Sequence, residues 1–454
     1  MQEKRNVRNY QVKILSLAGI LMRLFYIYYT NYTTRQHDVW KLGGGDGHLG
    51  YMEFFLNHPW SLPEINIQAI TQFYQPPLHY ILAACFVKIN LWMGVGYEQS
   101  FENVQFLTFF YSVALMVVCY KILMEVGLKD RPFLYSYAII CFHPTLFILS
   151  GSINNDLLAL LFTSLAILSI IRWYQNPKDG NMIKTGLMVA LANLSKGSAL
   201  LIIPAFLFLG CYKVWKENDK LWFYVRQAFT FAGLTLIGMS WMIWNYIRYQ
   251  MPFNFVPHPP ADSGMSTSSY SFAQRIFDVG GSKILSVYEN LREPNIDYNI
   301  PLAICKNSMF GEFTLTSEKD FLYYASWALL AANIILCIFA FGLMWYLLFC
   351  KSDSSFGIIK YFLVVYYITV MVFYLKFCFE YPETCTMDYR YIPVTMIIGS
   401  IFIGKGLEYF ESHNQRRNQI YGILIRGIIK LFCVSSIVVY YQVGTVLSLY
   451  CIGM

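Results

Sequence analysis

The stretch GGGDGHLGY, residues 43–51, places a carboxylate, an imidazole and a phenol close together in the chain. Three glycines give the backbone a flexible approach to Asp46. His48 follows two residues later. Tyr51 lies near one turn from His48 if a helix starts here. A carboxylate at a water–membrane boundary can serve as a general base or as a metal ligand. The same letters also spell a Gly-rich turn whose Asp caps a helix, and both readings are open at this point. Downstream, residues 72–82 read QFYQPPLHYIL. Pro76-Pro77 suits a first helical turn, and His79 and Tyr80 then face different sides of that helix. A lone His in this setting fits a structural place as well as a chemical one.

Three more positions stand out. Asp156, in the stretch SINNDLLALLF, opens an otherwise apolar helix. An ionisable group at membrane depth is a functional hypothesis by default, although Asn154-Asn155-Asp156 also suits a helix cap. Lys196 interrupts two apolar runs in ALANLSKGSALLIIP. It can bind an anion such as a phosphate or snorkel to the interface. Arg390 precedes a further apolar run, and its guanidinium offers bidentate geometry for phosphate. Asp388 is its nearest alternative partner.

These residues are set in a chain of 454 residues that is 56% hydrophobic, 18% aromatic and only 13% charged. A soluble protein carries roughly 25% charged residues, so a soluble enzyme, a disordered chain and a coiled coil are excluded. The mean hydropathy of +0.43 agrees. The composition predicts an all-α polytopic membrane protein. Segments long enough to cross, about 20 apolar residues each, fall near 12–30, 104–124, 133–150, 155–173, 184–195, 197–214, 226–247, 325–350, 357–375, 391–405 and 427–448. The first has the charge order of a signal peptide but no small-residue cleavage site, so it is expected to stay as a span. The apolar stretch 77–93 is a further candidate, and positive charge decides against it. If it does not cross, most of the 34 Lys and Arg fall in short cytoplasmic connections, as the positive-inside rule expects. If it crosses, the rule is broken in loop after loop. About eleven spans follow, with the N-terminus in the cytoplasm and 77–93 as a juxtamembrane or re-entrant helix.

One integral membrane domain, 1–454, thus carries two large outward-facing segments, 31–103 and 248–320. No internal repeat or low-complexity tract is visible. The Pro/Ser/Gly-rich stretch 258–271 is expected to be mobile and to order on substrate binding. Asp46, His48, Asp156, Lys196 and Arg390 all fall on the outer face of a topology chosen from charge alone. Acidic plus basic groups at one membrane face suit an anionic lipid-linked substrate attacked by a hydroxyl or amine. The formal net charge of +7 reports orientation and calls for no nucleic acid. Most of the 11 cysteines sit in apolar runs as small hydrophobes. No CxxC pair supports a zinc or redox site. Cys378 and Cys385 are the close pair outside a helix core and could form a disulfide. The sequon Asn31-Tyr32-Thr33 lies too near the first span to serve as a glycosylation site.

Five short motifs, in order along the chain, carry a family resemblance. QPPLHYIL resembles the H/Q-P-P-L-x-Y motif of the GT-C membrane glycosyltransferases. The nearest likeness is to family 39, the dolichyl-phosphate-mannose protein mannosyltransferase and aminoarabinose transferase group. Asp46 matches that family's acidic residue after the first span, its usual catalytic position. NNDLLALLF resembles the second-loop motif, with Asp156 as its acidic residue. LSKGSALLIIPAF is similar to L-T-K-x-x-A-L-L-x-x-P, and YRYIPVTM resembles R-Y-x-x-P through Arg390, Tyr391 and Pro393. Gly47 stands where the mannosyltransferases carry Glu.

The resemblance implies a GT-C type bundle and a polyprenyl-phosphate sugar as donor, in contact with membrane lipids. The lipid phosphate would lie near Lys196 or Arg390. Asp46 would act as base on an acceptor protein, lipid or glycan, with inversion at the sugar. His48, Tyr51, His79, Asp156 and Tyr391 would bind substrate. Metal dependence varies across the superfamily, so a divalent ion is left open. The segment 248–320 would cover the site as a lid. A bacterial cell membrane is expected because no added soluble domain is seen, with the endoplasmic reticulum as the alternative. A transporter or flippase for lipid-linked sugar is the main rival, and a non-catalytic scaffold the other. Transporters tend to show inverted repeats and polar groups at mid-membrane, and neither is visible here.

Overall fold

The computed structural model describes residues 2–34, 39, 41–64, 72–253, 255–257, 265–279, 297–311, 321–350, 356–413 and 415–451. Among these residues the regular elements are helices, joined by one isolated antiparallel bridge between Ser266 and Glu383. Seven helical segments are long and apolar enough to cross a membrane: Tyr10–Tyr29, Tyr97–Glu125, Asp156–Gln175, Gly197–Lys216, Phe321–Phe349, Ile359–Glu380 and Arg416–Thr445. The pair Asp130–Phe142 and Pro144–Ser150, bent by 43°, makes an eighth if it is one span. The chain is a multi-pass membrane protein.

Length and composition therefore support seven of the eleven expected crossings, and an eighth if the bent pair is one span. The other three segments are helical but fall short of that measure. They lie in Asp179–Ser195, in Leu221–Gly238 followed by Ser240–Tyr249, and in Val394–Ser412. The shortfall has a physical reason. Asp179–Ser195 packs between Asp156–Gln175 and Leu221–Gly238. A helix shielded by protein can keep polar groups such as Thr185 and Asn193, both buried here.

The stretch 77–93 forms the helix Leu78–Trp92 of 15 residues. At 1.5 Å per residue it is roughly 22 Å long, short of a hydrocarbon core of about 30 Å. One side is buried through Ala83, Ala84 and Val87, while Ile89, Trp92 and Met93 stay exposed. The helix Leu78–Trp92 is thus short of a crossing by length and apolar on an exposed side. With Gly47–Asn57 it builds a separate apolar core around Leu49, Tyr51, Met52, Phe73 and Tyr80, beside the main core of the bundle.

The bend at His143–Pro144 arises because Pro144 has no N–H to continue the ladder. Fully buried Arg23 reaches into the bend and donates to the carbonyls of Gly19 and Cys141, at 2.8 Å each. Ser436 donates to the Phe142 carbonyl at 2.6 Å. Thr267 N–H donates to the Pro382 carbonyl at 2.6 Å and Thr384 N–H to the Met265 carbonyl at 2.9 Å. The described stretch 265–279 is thereby tied to the connection 381–393. Residues 258–264 of the Pro/Ser-rich stretch lie outside the described residues. Among the described residues no disulfide forms, Cys378 and Cys385 included. The buried Cys378 thiol instead donates to the Thr386 carbonyl at 3.5 Å.

Candidate active site

A cavity of about 390 Å³ opens where the described part of the segment 31–103 meets the ends of several bundle helices. Its polar side carries His48, Gln72, Gln75, Asn155, Asp156, Lys196 and Arg390. Its apolar side carries Leu201, Met242, Phe253, Phe255, Val370, Phe373 and Phe377. Most of the wall thus suits hydrocarbon, and a smaller part suits hydroxyls and charge.

Each polar residue is placed by a local feature of the sequence. Asn154 Oδ1 accepts the N–H of Asp156 at 3.2 Å, which starts the helix Asp156–Gln175 with Asp156 in its first turn. A carboxylate there faces the positive end of the helix dipole. The buried Asp156 carboxylate pairs with the Lys196 ammonium. Lys196 stands in the extended break between Asp179–Ser195 and the turn Gly197–Ile202. Its ammonium lies 4.7 Å from the centre of the Tyr391 ring. The Arg390 guanidinium lies 5.3 Å from the same ring. Tyr391 thereby gathers two cations at one end of the cavity. Arg390 keeps Asp388 close, with Nε 3.4 Å from its carboxylate, and Asp388 also accepts the N–H of Arg390 at 2.9 Å.

Behind the cavity the described part of the segment 31–103 is held by aromatic packing. The Tyr80 hydroxyl lies 2.9 Å from His48 Nδ1. Tyr51 stacks on Tyr80 at 4.2 Å and on Phe73 at 4.5 Å, and its hydroxyl donates to the Gln75 carbonyl at 3.1 Å. His79 is fully buried, and its Nε2–H donates to the Ile153 carbonyl at 2.8 Å. Burial pushes its imidazole pKa from 6.5 down to about 4, so the ring is neutral near pH 7. His79 thus fastens the QPPLHYIL helix to the turn that bears Asn155 and Asp156.

Of the residues expected from the sequence, His48, Asp156, Lys196, Arg390 and Tyr391 line one cavity. Tyr51 and His79 stand behind it as supports and do not line it. Asp46 caps Gly47–Asn57, its Oδ1 accepting the N–H of Gly47 at 2.6 Å. It lies two residues before His48, at most about 7 Å away along the chain. The cap that competed with the chemical reading is therefore present. Sequence reasoning passed over Gln72, Gln75 and Asn155. Their signal was in plain view, in the same QFYQPP and NND motifs, but neutral amides attract less attention than charges. Asn155 Nδ2 donates to the Ser195 carbonyl at 2.7 Å and to Gln75 Oε1 at 3.3 Å. Among the described residues no three His, Cys, Asp or Glu side chains gather as ligands of one metal ion would.

The family model described as dolichyl-phosphate-mannose-protein mannosyltransferase matches residues 20–254, just over half of the chain. Comparison with curated protein sequences finds no match. Among solved structures, the archaeal oligosaccharyltransferase AglB of Archaeoglobus fulgidus, in complex with an inhibitory peptide and a dolichol-phosphate, aligns over 95% of this chain and 56% of its own. Its TM-score is 0.52 at 11% identity. ArnT of Cupriavidus metallidurans bound to undecaprenyl phosphate aligns over 94% of this chain and 75% of its own, with a TM-score of 0.49 at 14% identity. The protein O-mannosyltransferase Pmt1-Pmt2 complex of S. cerevisiae, bound to its sugar donor, covers 57% of this chain and 35% of its own, with a TM-score of 0.36 at 14% identity. The chain therefore spans little more than half the length of AglB. At 11% identity the likeness to AglB speaks to the fold alone, a bundle of membrane helices.

Proposed function

The chain belongs to the dolichyl-phosphate-mannose-protein mannosyltransferase family of membrane glycosyltransferases, and from that premise we propose that it moves a sugar from a polyprenyl-phosphate donor to a hydroxyl or amine acceptor on the outer membrane face. The observation that carries this reading is one cavity whose lining joins two cations gathered at Tyr391, neutral amides and a large apolar wall. A lipid phosphate meets Lys196 and Arg390, which offset the charge that grows on it as the sugar leaves. Gln72, Gln75 and Asn155 suit the hydroxyls of a neutral sugar. Val370, Phe373 and Phe377 give the prenyl chain an apolar path.

In the proposed step the acceptor oxygen or nitrogen attacks the anomeric carbon from the face opposite the phosphate, with inversion. Asp46 takes the acceptor proton, the anomeric carbon–oxygen bond breaks, and its electron pair stays on the polyprenyl phosphate. The helix that begins at Asp46 carries His48 to the cavity, which supports a place for the carboxylate at its margin. His48 orients the acceptor, and Asp156 holds Lys196 toward the phosphate. Phe253, Phe255 and Val256 line the cavity, which supports the segment 248–320 as its cover. The gathering of positive charge in the short connections supports a cytoplasmic N-terminus.

The test uses purified full-length protein in detergent, a panel of polyprenyl-phosphate sugars and a membrane extract as acceptor source. Loss of each donor is followed by mass spectrometry. One donor is expected to be consumed, and Asp46→Asn to slow consumption by about 10²–10⁴-fold, the usual worth of a positioned general base. Wild-type turnover in Asp46→Asn sinks the base assignment. No consumption by folded protein with acceptor present turns the reading toward a transporter.

A further inference from the structure

We propose that Glu53 is a positioning residue for transfer, a buried clamp that fixes the glycine loop presenting Asp46. This inference rests on the reading of Asp46 as the base. The loop Gly43–Gly45 has no side chains with which to hold itself. Gly43 and Gly45 adopt φ of +73° and +70°, a region glycine enters without penalty and leaves as readily. Left alone, such a loop samples many conformations, and a base set 1 Å out of place costs on the order of 10²-fold in rate. Order has to come from outside the loop.

Glu53 supplies it. Its side chain is buried at 8% exposure, on the helix Gly47–Asn57 that Asp46 itself caps. Both carboxylate oxygens accept the N–H of Gly43, at 3.0 and 2.9 Å. The Tyr97 hydroxyl donates to Oε1 at 2.9 Å and fixes the carboxylate from the opposite side. Between these ends the loop lies against its own helix. A Cβ on Gly50 would stand 2.6 Å from the Gly45 carbonyl carbon. The loop is thus pinned at Gly43 by Glu53, pressed at Gly45 against Gly50, and closed at Asp46 by the cap on Gly47. A buried carboxylate is costly unless such donors meet it. A group needed only to fill space here would not be charged.

The test compares Glu53→Ala, Glu53→Gln and Tyr97→Phe in full-length protein, with the donor consumed by wild type and amide exchange over residues 43–47. Glu53→Ala is expected to lower kcat tenfold or more with KM within about threefold, and to speed exchange at 43–47. Glu53→Gln keeps an oxygen for Gly43 and an amide donor for the Tyr97 oxygen, so it is expected to recover part of both. Tyr97→Phe is expected to fall between Glu53→Gln and wild type. Wild-type kcat in Glu53→Ala overturns the proposal, and so does a loss of kcat with exchange at 43–47 unchanged. If Glu53→Ala does not fold, the same two readouts on Glu53→Gln and Tyr97→Phe decide it, and wild-type values in both overturn it. Asp46→Asn is run alongside. Wild-type turnover in that variant removes the base assignment and with it the role given to Glu53, whereas an inactive Asp46→Asn beside a fully active Glu53→Ala removes only the latter.

Discussion

Asp156 and Lys196 show how one pair can be both structural and chemical. Their side chains are only 4% and 14% exposed, so each needs the other. Removing one partner of a buried pair typically costs about 3–5 kcal/mol, because the remaining charge is left uncompensated. Lys196→Met is expected to lose stability on that scale, read as thermal unfolding in detergent. Asp156→Leu combined with Lys196→Met is expected to regain much of the stability and to remain inactive. Recovered transfer in the double variant would reduce the pair to a packing feature. His79 carries a separate expectation. Its folded pKa of about 4 lies below the ordinary 6.5, so the unfolded chain binds a proton in that window that the folded chain refuses. The contribution to stability is therefore complete above pH 6.5 and declines as the pH falls toward 4. His79→Gln, which keeps a donor for the Ile153 carbonyl, is expected to flatten the fall of Tm between pH 7 and pH 5.

At the scale of elements, the helix Gly47–Asn57 is the part on which most depends. It carries Asp46 at its cap, His48 at the cavity and Glu53 beneath the loop. Gly50 is its most constrained position, because its neighbour is backbone and cannot turn away. Gly50→Ala is expected to cost about 1–3 kcal/mol from overpacking, and to lower transfer further than that loss of folded protein explains. Unchanged turnover would show that the loop and helix tolerate separation. The three helices that fall short of a crossing by composition follow the same logic of context. Asp179–Ser195 is shielded on two sides by its neighbours, so its sequence is freed from the demand for an apolar surface all round.

For the whole molecule the prediction concerns orientation. Positive charge gathers in the connections expected to be cytoplasmic, and that distribution favours an inward N-terminus. Gly180 is exposed in one such connection. Gly180→Cys is expected to react with a membrane-impermeant maleimide only after the membrane is opened, above the background of native thiols. Labelling of intact cells or sealed vesicles from outside would invert the topology and move the cavity to the other face.

The sequence by itself determined the membrane class, because 13% charge cannot cover a soluble surface, and most of the helices, because apolar runs of about 20 residues have few other uses in lipid. It also determined which charged residues were worth following. Asp156, Lys196 and Arg390 are conspicuous because charge at membrane depth is expensive. Only the tertiary structure decided which of them meet. Asp156 and Lys196 are 40 residues apart, and Tyr391 joins them from the other end of the chain. Such contacts follow from how helices pack, which no local pattern encodes. The structure also separated His48, at the cavity, from Tyr51 and His79 behind it. Spacing along a helix gives the face a residue lies on, whereas the neighbour that face meets is set by the rest of the bundle. Glu53 was invisible for the same reason. Its partner Gly43 has no side chain, and a backbone N–H leaves no mark in the sequence.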